Sequence, residues 1–293
     1  MISLAQGPIE VLGSTSPQSA SVSPIKIGNF AIVSCEQNAG TATNVAISGG
    51  GVATWNAISP FNGAYGVYLF WGIVTSVTAS QTLTATWTGG QGPMDVLYFE
   101  YTSDLVGSNA TWNVGSSNNS NSATAVATLA WPSITMPVAG QVGYFGFSGN
   151  SQYTGTYTNK LPASFTFNIP PARANLYCYG LNLNNNTAYA PSASATSPDT
   201  FSYSSVGVAF SISTSLPTNT SLPTVTGNLT VGSVLTANPG TWSPNPSTYS
   251  YVWQRENADG TLIQDIPGAT QTTYTLQQVD VGKNIRVRVL GNP

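Results

Sequence analysis

The sequence predicts an all-β protein with two β-sandwiches in series. Three observations carry that expectation. Apolar residues alternate with Ser, Thr, Asn and Gly in segments such as "QTLTATWT" (81–88), the period-two pattern of a strand with one buried face. Turn signals recur at short intervals: "SGGG" at 48–51, "TGGQGP" at 88–93 and "VGSSNNSNS" at 114–122. No segment has a capped apolar period of 3.6 residues.

The strand candidates follow in order: "NFAIVSCE", "GVYLFWGIV", "QTLTATWT", "MDVLYFEY", "ATAVATLAW", "QVGYFGFS", "ASFTFNI", "ANLYCYGL" and "FSYSSVGVAFSIS". Nine short strands at this spacing predict one jelly-roll-like β-sandwich over residues 26–213. Residues 1–25 are rich in Ser, Pro and Gln and read as an extended N-terminal arm. The Ser-Leu-Pro repeat at 215–217 and 221–223 marks a short stiff linker over 214–222. A smaller sandwich follows at 223–293.

Composition removes several function classes. Charged residues are 6% of the chain, against about 25% in an ordinary domain. No run of 18 apolar residues is present, so membrane insertion is not expected. With 7 Trp, 14 Tyr and 10 Phe, disorder is a poor account of the low charge. A surface made polar by hydroxyls and amides suits secreted modules and virion shells. The net charge is −3, and Lys26, Lys160 and Arg173 are the cations before residue 255. That excludes phosphate-driven nucleic-acid binding. The opening "MISLAQGPIEVLGSTSPQ" lacks a basic region and an apolar core, so it does not read as a secretory signal.

Catalytic chemistry is sparse. There is no histidine, which removes Ser-His-Asp and Cys-His catalysis and His-ligated zinc. Two cysteines, Cys35 and Cys178, cannot build a Cys₄ site. They either face each other across a sandwich or sit as buried thiols, the usual state in a reducing compartment. Glu100 and Asp104 are the best carboxylate pair, but four residues of strand put them roughly 13 Å apart, too far for glycoside hydrolysis. Asp95, Glu100, Asp104 and Asp199 lack a calcium-loop spacing. No enzyme, no cofactor and no metal is expected. The Asn-X-Ser/Thr triplets at Asn109, Asn118, Asn185, Asn219 and Asn228 read as composition.

Aromatic side chains offer the other route to function, by stacking on sugar rings. Trp71 and Trp87 lie in strongly apolar or alternating strands and read as core. Trp112, Tyr153 and Tyr157 lie beside Asn/Ser/Gly-rich stretches and are the platform candidates in the large domain. Trp242, with the "SPNPST" loop, is the corresponding candidate at the end of the smaller one.

The C-terminal segment has the tightest pattern. Its elements are Gly240-Thr241-Trp242, "YVWQR" at 251–255, "IPGAT" at 266–270, "YTL" at 274–276, "DVG" at 280–282 and "IRVRV" at 285–289. Alternation places Tyr249, Tyr251, Trp253 and Arg255 on one face, and Ile285 and Val287 inward. "ADG" at 258–260 is a hairpin signal. This segment resembles the immunoglobulin-like module that recurs in bacterial surface proteins and in tailed-phage structural proteins, without the inter-sheet cysteine pair of antibody domains. The resemblance implies a core of Trp253, Tyr274, Ile285 and Val287. The larger domain resembles, more loosely, the jelly-roll domains of phage minor structural proteins.

Together these resemblances imply a non-enzymatic virion structural protein of a tailed phage, on the surface of capsid or tail. Its expected partners are other virion proteins, copies of itself and cell-surface carbohydrate. The alternative they allow is a bacterial extracellular carbohydrate-binding or adhesin protein, which a Cys35–Cys178 disulfide would favour.

Overall fold

The computed structural model describes residues 1–39, 42–62, 66–89, 91–107, 110–150, 157–159, 164–168, 176–195 and 201–292. The protein is all-β: among the described residues the one helical element is a 3₁₀ turn at Gln278–Asp280. The chain forms two compact units. The larger takes Met1–Val106 and Trp112–Ser213, the smaller Gly107–Thr111 and Thr214–Pro293.

The larger unit holds two jelly rolls rather than one. The first is built from β1 (Ile2–Gly13), β2 (Gln18–Val22), β3 (Phe30–Ala39), β4 (Thr43–Gly49), β5 (Asn56–Asn62), β6 (Gly66–Ile73), β7 (Gln81–Thr88) and β8 (Gln91–Ser103). Its sheets have the strand orders β1-β8-β3-β6-β5 and β2-β7-β4. The chain thus crosses repeatedly between two facing sheets, which is jelly-roll connectivity.

The second comprises β9 (Ala110–Val126), β10 (Thr128–Ala130), β11 (Ile134–Thr135), β12 (Gln141–Asn150), β13 (Tyr157–Asn159), β14 (Phe165–Asn168), β15 (Leu176–Leu181), β16 (Ala188–Tyr189), β17 (Ser192–Ala195) and β18 (Phe201–Thr214). Its sheets run β9-β18-β12-β15-β14 and β10-β17-β13, with β11-β16 as a separate pair. Strand for strand this repeats the first order, so the large unit is a tandem duplication in three dimensions.

Residues 1–25 are therefore not an arm. β1 pairs with β8 from Ile2↔Ser103 to Gly13↔Met94, and β2 pairs with β7. Gln, Ser and Pro there serve a polar strand face and its turns. The "VGSSNNSNS" stretch is not a turn either, since it lies inside β9. Backbone pairing holds it extended where side-chain composition favours a turn.

Each jelly roll has its own core. The first gathers Ala31, Val33, Cys35, Phe70, Leu83, Trp87, Val96 and Tyr98. The second gathers Trp131, Val142, Tyr144, Leu176, Cys178 and Ala209. The opposite faces of the two five-stranded sheets pack on each other through aromatic rings. Phe99 meets Phe145 and Tyr177 edge-on, each with centroids 4.9 Å apart. Phe30 stacks on Phe210 at 5.0 Å. Strands β3, β6, β8, β12 and β15 are thus buried on both faces. That is why "FAIVSC" and "VYLFW" read as continuous apolar runs rather than alternating ones.

Cys35 and Cys178 occupy different cores and are free thiols. Burial raises both thiol pKa values, and the Asp95 charge pushes Cys35 further. A buried protonated thiol is a poor nucleophile. Both cysteines are expected to stay silent towards a disulfide reagent at about pH 8 in native protein and to titrate fully in denaturant. Rapid labelling of native protein would contradict the burial.

The smaller unit is a sandwich of two three-stranded sheets plus a short ribbon. Its strands are β19 (Thr218–Ser221), β20 (Thr224–Thr226), β21 (Val234–Asn238), β22 (Thr241–Ser243), β23 (Thr248–Asn257), β24 (Gln264–Asp265), β25 (Thr273–Thr275) and β26 (Lys283–Asn292). Sheet β20-β21-β25 faces β24-β23-β26, and β19 pairs with β22. The stretch read as a linker therefore ends in a paired strand, β19. Trp253, fully buried, anchors the core with Leu235, Ile266, Tyr274 and Leu276, while Ile285 and Val287 pack against it half-buried.

Candidate binding surface

The alternation of β23 builds this surface. Trp253 lies under the cover of the facing sheet. Its indole N–H donates to the Gln271 carbonyl at 2.9 Å, and its ring lies 5.6 Å from that of Tyr274. Two and four residues earlier on the same face, Tyr251 and Tyr249 are only half-buried. Their centroids are 6.5 Å apart, and Tyr249 meets the Trp242 ring edge-on at 6.3 Å. Trp242, Tyr249 and Tyr251 thus form a row running from the sandwich end towards its core.

Local packing fixes the row. The Trp242 indole N–H donates to the Pro239 carbonyl at 2.8 Å. Gly291 lies beneath: a Cβ there would sit 2.5 Å from Pro246 and 3.0 Å from Trp242. Only glycine lets the ring and Pro246 approach β26 this closely. Such a row offers ring faces and edges to a flat, uncharged ligand.

Beside the core lies a polar cluster. Asp280 is 6% exposed. Its carboxylate accepts from the Tyr274 hydroxyl and the Gln277 N–H, each at 2.7 Å, and from the Arg255 guanidinium. Arg255 also donates to the Tyr274 hydroxyl at 3.2 Å. Every participant is engaged within the cluster, so it is a structural clamp between β23, β25 and the 3₁₀ turn. A neighbouring cleft of about 450 Å³ is walled by Val225, Leu235, Leu276, Val281 and Ile285. Gln277, Asp280, Lys283 and Asn284 line it as well, so its wall is mixed, and the Asp280 carboxylate is already bonded.

The other sequence candidates are dispersed. Trp112 is not a platform residue. It is 6% exposed, its indole N–H donates to the Gly28 carbonyl at 2.8 Å, and it stacks on Phe30 at 5.3 Å. The polar stretch that follows it in sequence runs along a strand, which carries the indole into the aromatic layer between the two jelly rolls. Tyr153 lies outside the described residues. Tyr157 pairs through its backbone with Ala195. Glu100 and Asp104 form no pair of acids. Glu100 is fully buried and receives the backbone N–H groups of Ile25 and Lys26 and the Asn29 amide, whereas Asp104 is exposed beside Gln141. Among the described residues no three His, Cys, Asp or Glu side chains gather as a metal site.

Sequence reasoning singled out Trp242 but missed that Tyr249 and Tyr251 extend it. The signal was in the alternation: a face that is core at residue 253 runs out of cover towards the strand start. No family model matches the chain, and no curated protein or solved structure matches it.

Proposed function

We propose that the chain is a non-enzymatic structural protein of a tailed-phage virion, carried on the capsid or tail surface. Its smaller unit, read as an immunoglobulin-like module, serves weak multivalent adhesion to uncharged glycans. The observation that carries the adhesive reading is the half-exposed row Trp242–Tyr249–Tyr251, held in place by Pro246 and Gly291. Trp87, Trp112 and Trp131, by contrast, are buried. The virion reading draws on the uncharged polar composition and on the jelly-roll architecture. A repeated weak site gains avidity from a particle that displays many copies. The competing reading, a secreted bacterial adhesin, loses one support, because the two cysteines lie in separate cores.

Two measurements test these readings separately. Mass spectrometry of purified particles should find the protein, and its absence there would sink the virion assignment. On a glycan array the full chain should give signal that Trp242→Ala reduces about tenfold, the loss of one stacking contact worth about 1.4 kcal/mol. A blank array, or full signal from the variant, would rule out the aromatic row as the adhesive site. Trp242 lies outside the core around Trp253, so the variant is expected to fold.

A further inference from the structure

The two five-stranded sheets of the large unit end in four strands, and three of those ends are guarded against further pairing. β1 contains Pro8, the charged Glu10 and two breaks in register against β8. β5 contains Pro60 and a register break between Ile58 and Phe61. β14 is four residues long among the described residues. Prolines, charges, bulges and brevity are the usual means by which a sheet edge avoids recruiting another strand.

The fourth edge, β9, has none of the sequence guards. It is 17 residues long and contains neither proline nor a charged residue. The sequence carries no charge at all between Asp104 and Lys160. Asn113, Gly115, Ser116, Ser117, Asn118, Asn119 and Asn121 are exposed along it. β9 takes the place in the second jelly roll that β1 takes in the first, yet the duplicated positions differ in this respect.

Backbone direction along the strand is also defined. The Ser120 carbonyl accepts the Ser205 hydroxyl of β18 at 3.2 Å, so residue 120 faces into the sheet. The Asn119 N–H instead takes its partner from the neighbouring Asn118 side chain, at 2.9 Å. Strand alternation then turns the N–H and C=O groups of residues 117, 119 and 121 away from β18.

We propose that β9 is a docking edge for a second copy of this chain. The two β9 strands pair antiparallel about a two-fold axis and join two five-stranded sheets into one of ten. A second copy fits because the strip is self-complementary. "GSSNNSNS" presents Ser and Asn in either direction, so reversal sets amides and hydroxyls opposite one another with no like-charge penalty. Asn side chains stacked across such a pairing add hydrogen bonds to those of the backbone. A strongly charged partner would find no counter-charge on this edge. The inference concerns the purified chain and holds whether or not the virion reading does.

Sedimentation velocity on the full chain tests it, over about 1–100 µM. The expected result is a reversible rise from the 30.5 kDa monomer to twice that mass. Asn119→Pro removes an outward N–H, and Asn119→Lys sets like charges near the two-fold axis. Both are expected to remain monomeric with thermal unfolding unchanged. Thr82→Lys, at an exposed position of β7 in the first jelly roll, should dimerise like the parent chain. If the proline variant fails to fold, the lysine variant decides. A parent chain that is monomeric throughout, or an Asn119→Lys chain that still dimerises, would overturn the proposal.

Discussion

Replacing Phe99 with alanine is expected to destabilise the large unit by about 3–5 kcal/mol. Phe99 is fully buried in the layer between the two jelly rolls, edge-on to Phe145 and Tyr177. The truncation removes about 3 kcal/mol or less of transfer free energy. The rest comes from the cavity it leaves, because two opposed sheets cannot close over a single missing ring. Two ring contacts vanish as well, each worth roughly 0.5–1.5 kcal/mol. In a unit of this size the loss corresponds to a fall in melting temperature of roughly 6–20 °C. Val77→Ala, at a 40% exposed position, should move it by less than about 0.5 kcal/mol. Calorimetry reads both. A Phe99 variant within 1 kcal/mol of the parent would show that the jelly rolls do not depend on each other for stability.

The same layer explains what could be read in the sequence. The all-β class follows from alternation and turn spacing, and β7 forms where "TLTATWT" predicts it. The duplication was also written there, in a form that a search for alternation passes over. "FAIVSC", "VYLFW" and "VLYF" do not alternate. Residues 30–33 are fully buried, because β3 has a core on one side and the aromatic layer on the other. A continuous apolar run in an antiparallel protein signals a sheet covered on both faces. Counting such runs separates two stacked sandwiches from one.

Other features were hidden for a different reason. Trp112 and "GSSNNSNS" are decided by which strand lies alongside β9, and that is a long-range fact absent from the local pattern. In the smaller unit, alternation along ten-residue β23 placed Trp253 in the core, and the resemblance to the immunoglobulin-like module added Tyr274. The aromatic row was half legible. Trp242 stood out beside its proline-rich loop, while Tyr249 and Tyr251 looked like core until the extent of the facing sheet was known.

The Asp280 clamp makes the smaller unit sensitive to acid, and Asp280→Asn is expected to cost it about 3 kcal/mol or more. Burial pushes the Asp280 carboxyl up. The Gln277 N–H, the Arg255 guanidinium and the Tyr274 hydroxyl outweigh it, so the group ends below its ordinary value. Because the folded value lies below the unfolded one, the carboxylate's contribution is fully present above about pH 4. It is lost as pH falls from there through the folded value. The asparagine variant keeps a carbonyl for one donor but leaves Arg255 without its counter-charge. For a unit of roughly 85 residues, about 3 kcal/mol lowers the melting temperature by roughly 12–24 °C. Denaturant titrations at pH values between about 2 and 7 should show parent stability falling below pH 4, with the variant nearly flat there. Asp259, held low by the Thr261 hydroxyl and N–H, leaves a small residual slope in both. Parallel slopes for parent and variant would place the acid sensitivity elsewhere. The glycan test gains from the same measurement, because adhesion that fails only where the clamp protonates reports a lost scaffold rather than a titrating ligand contact.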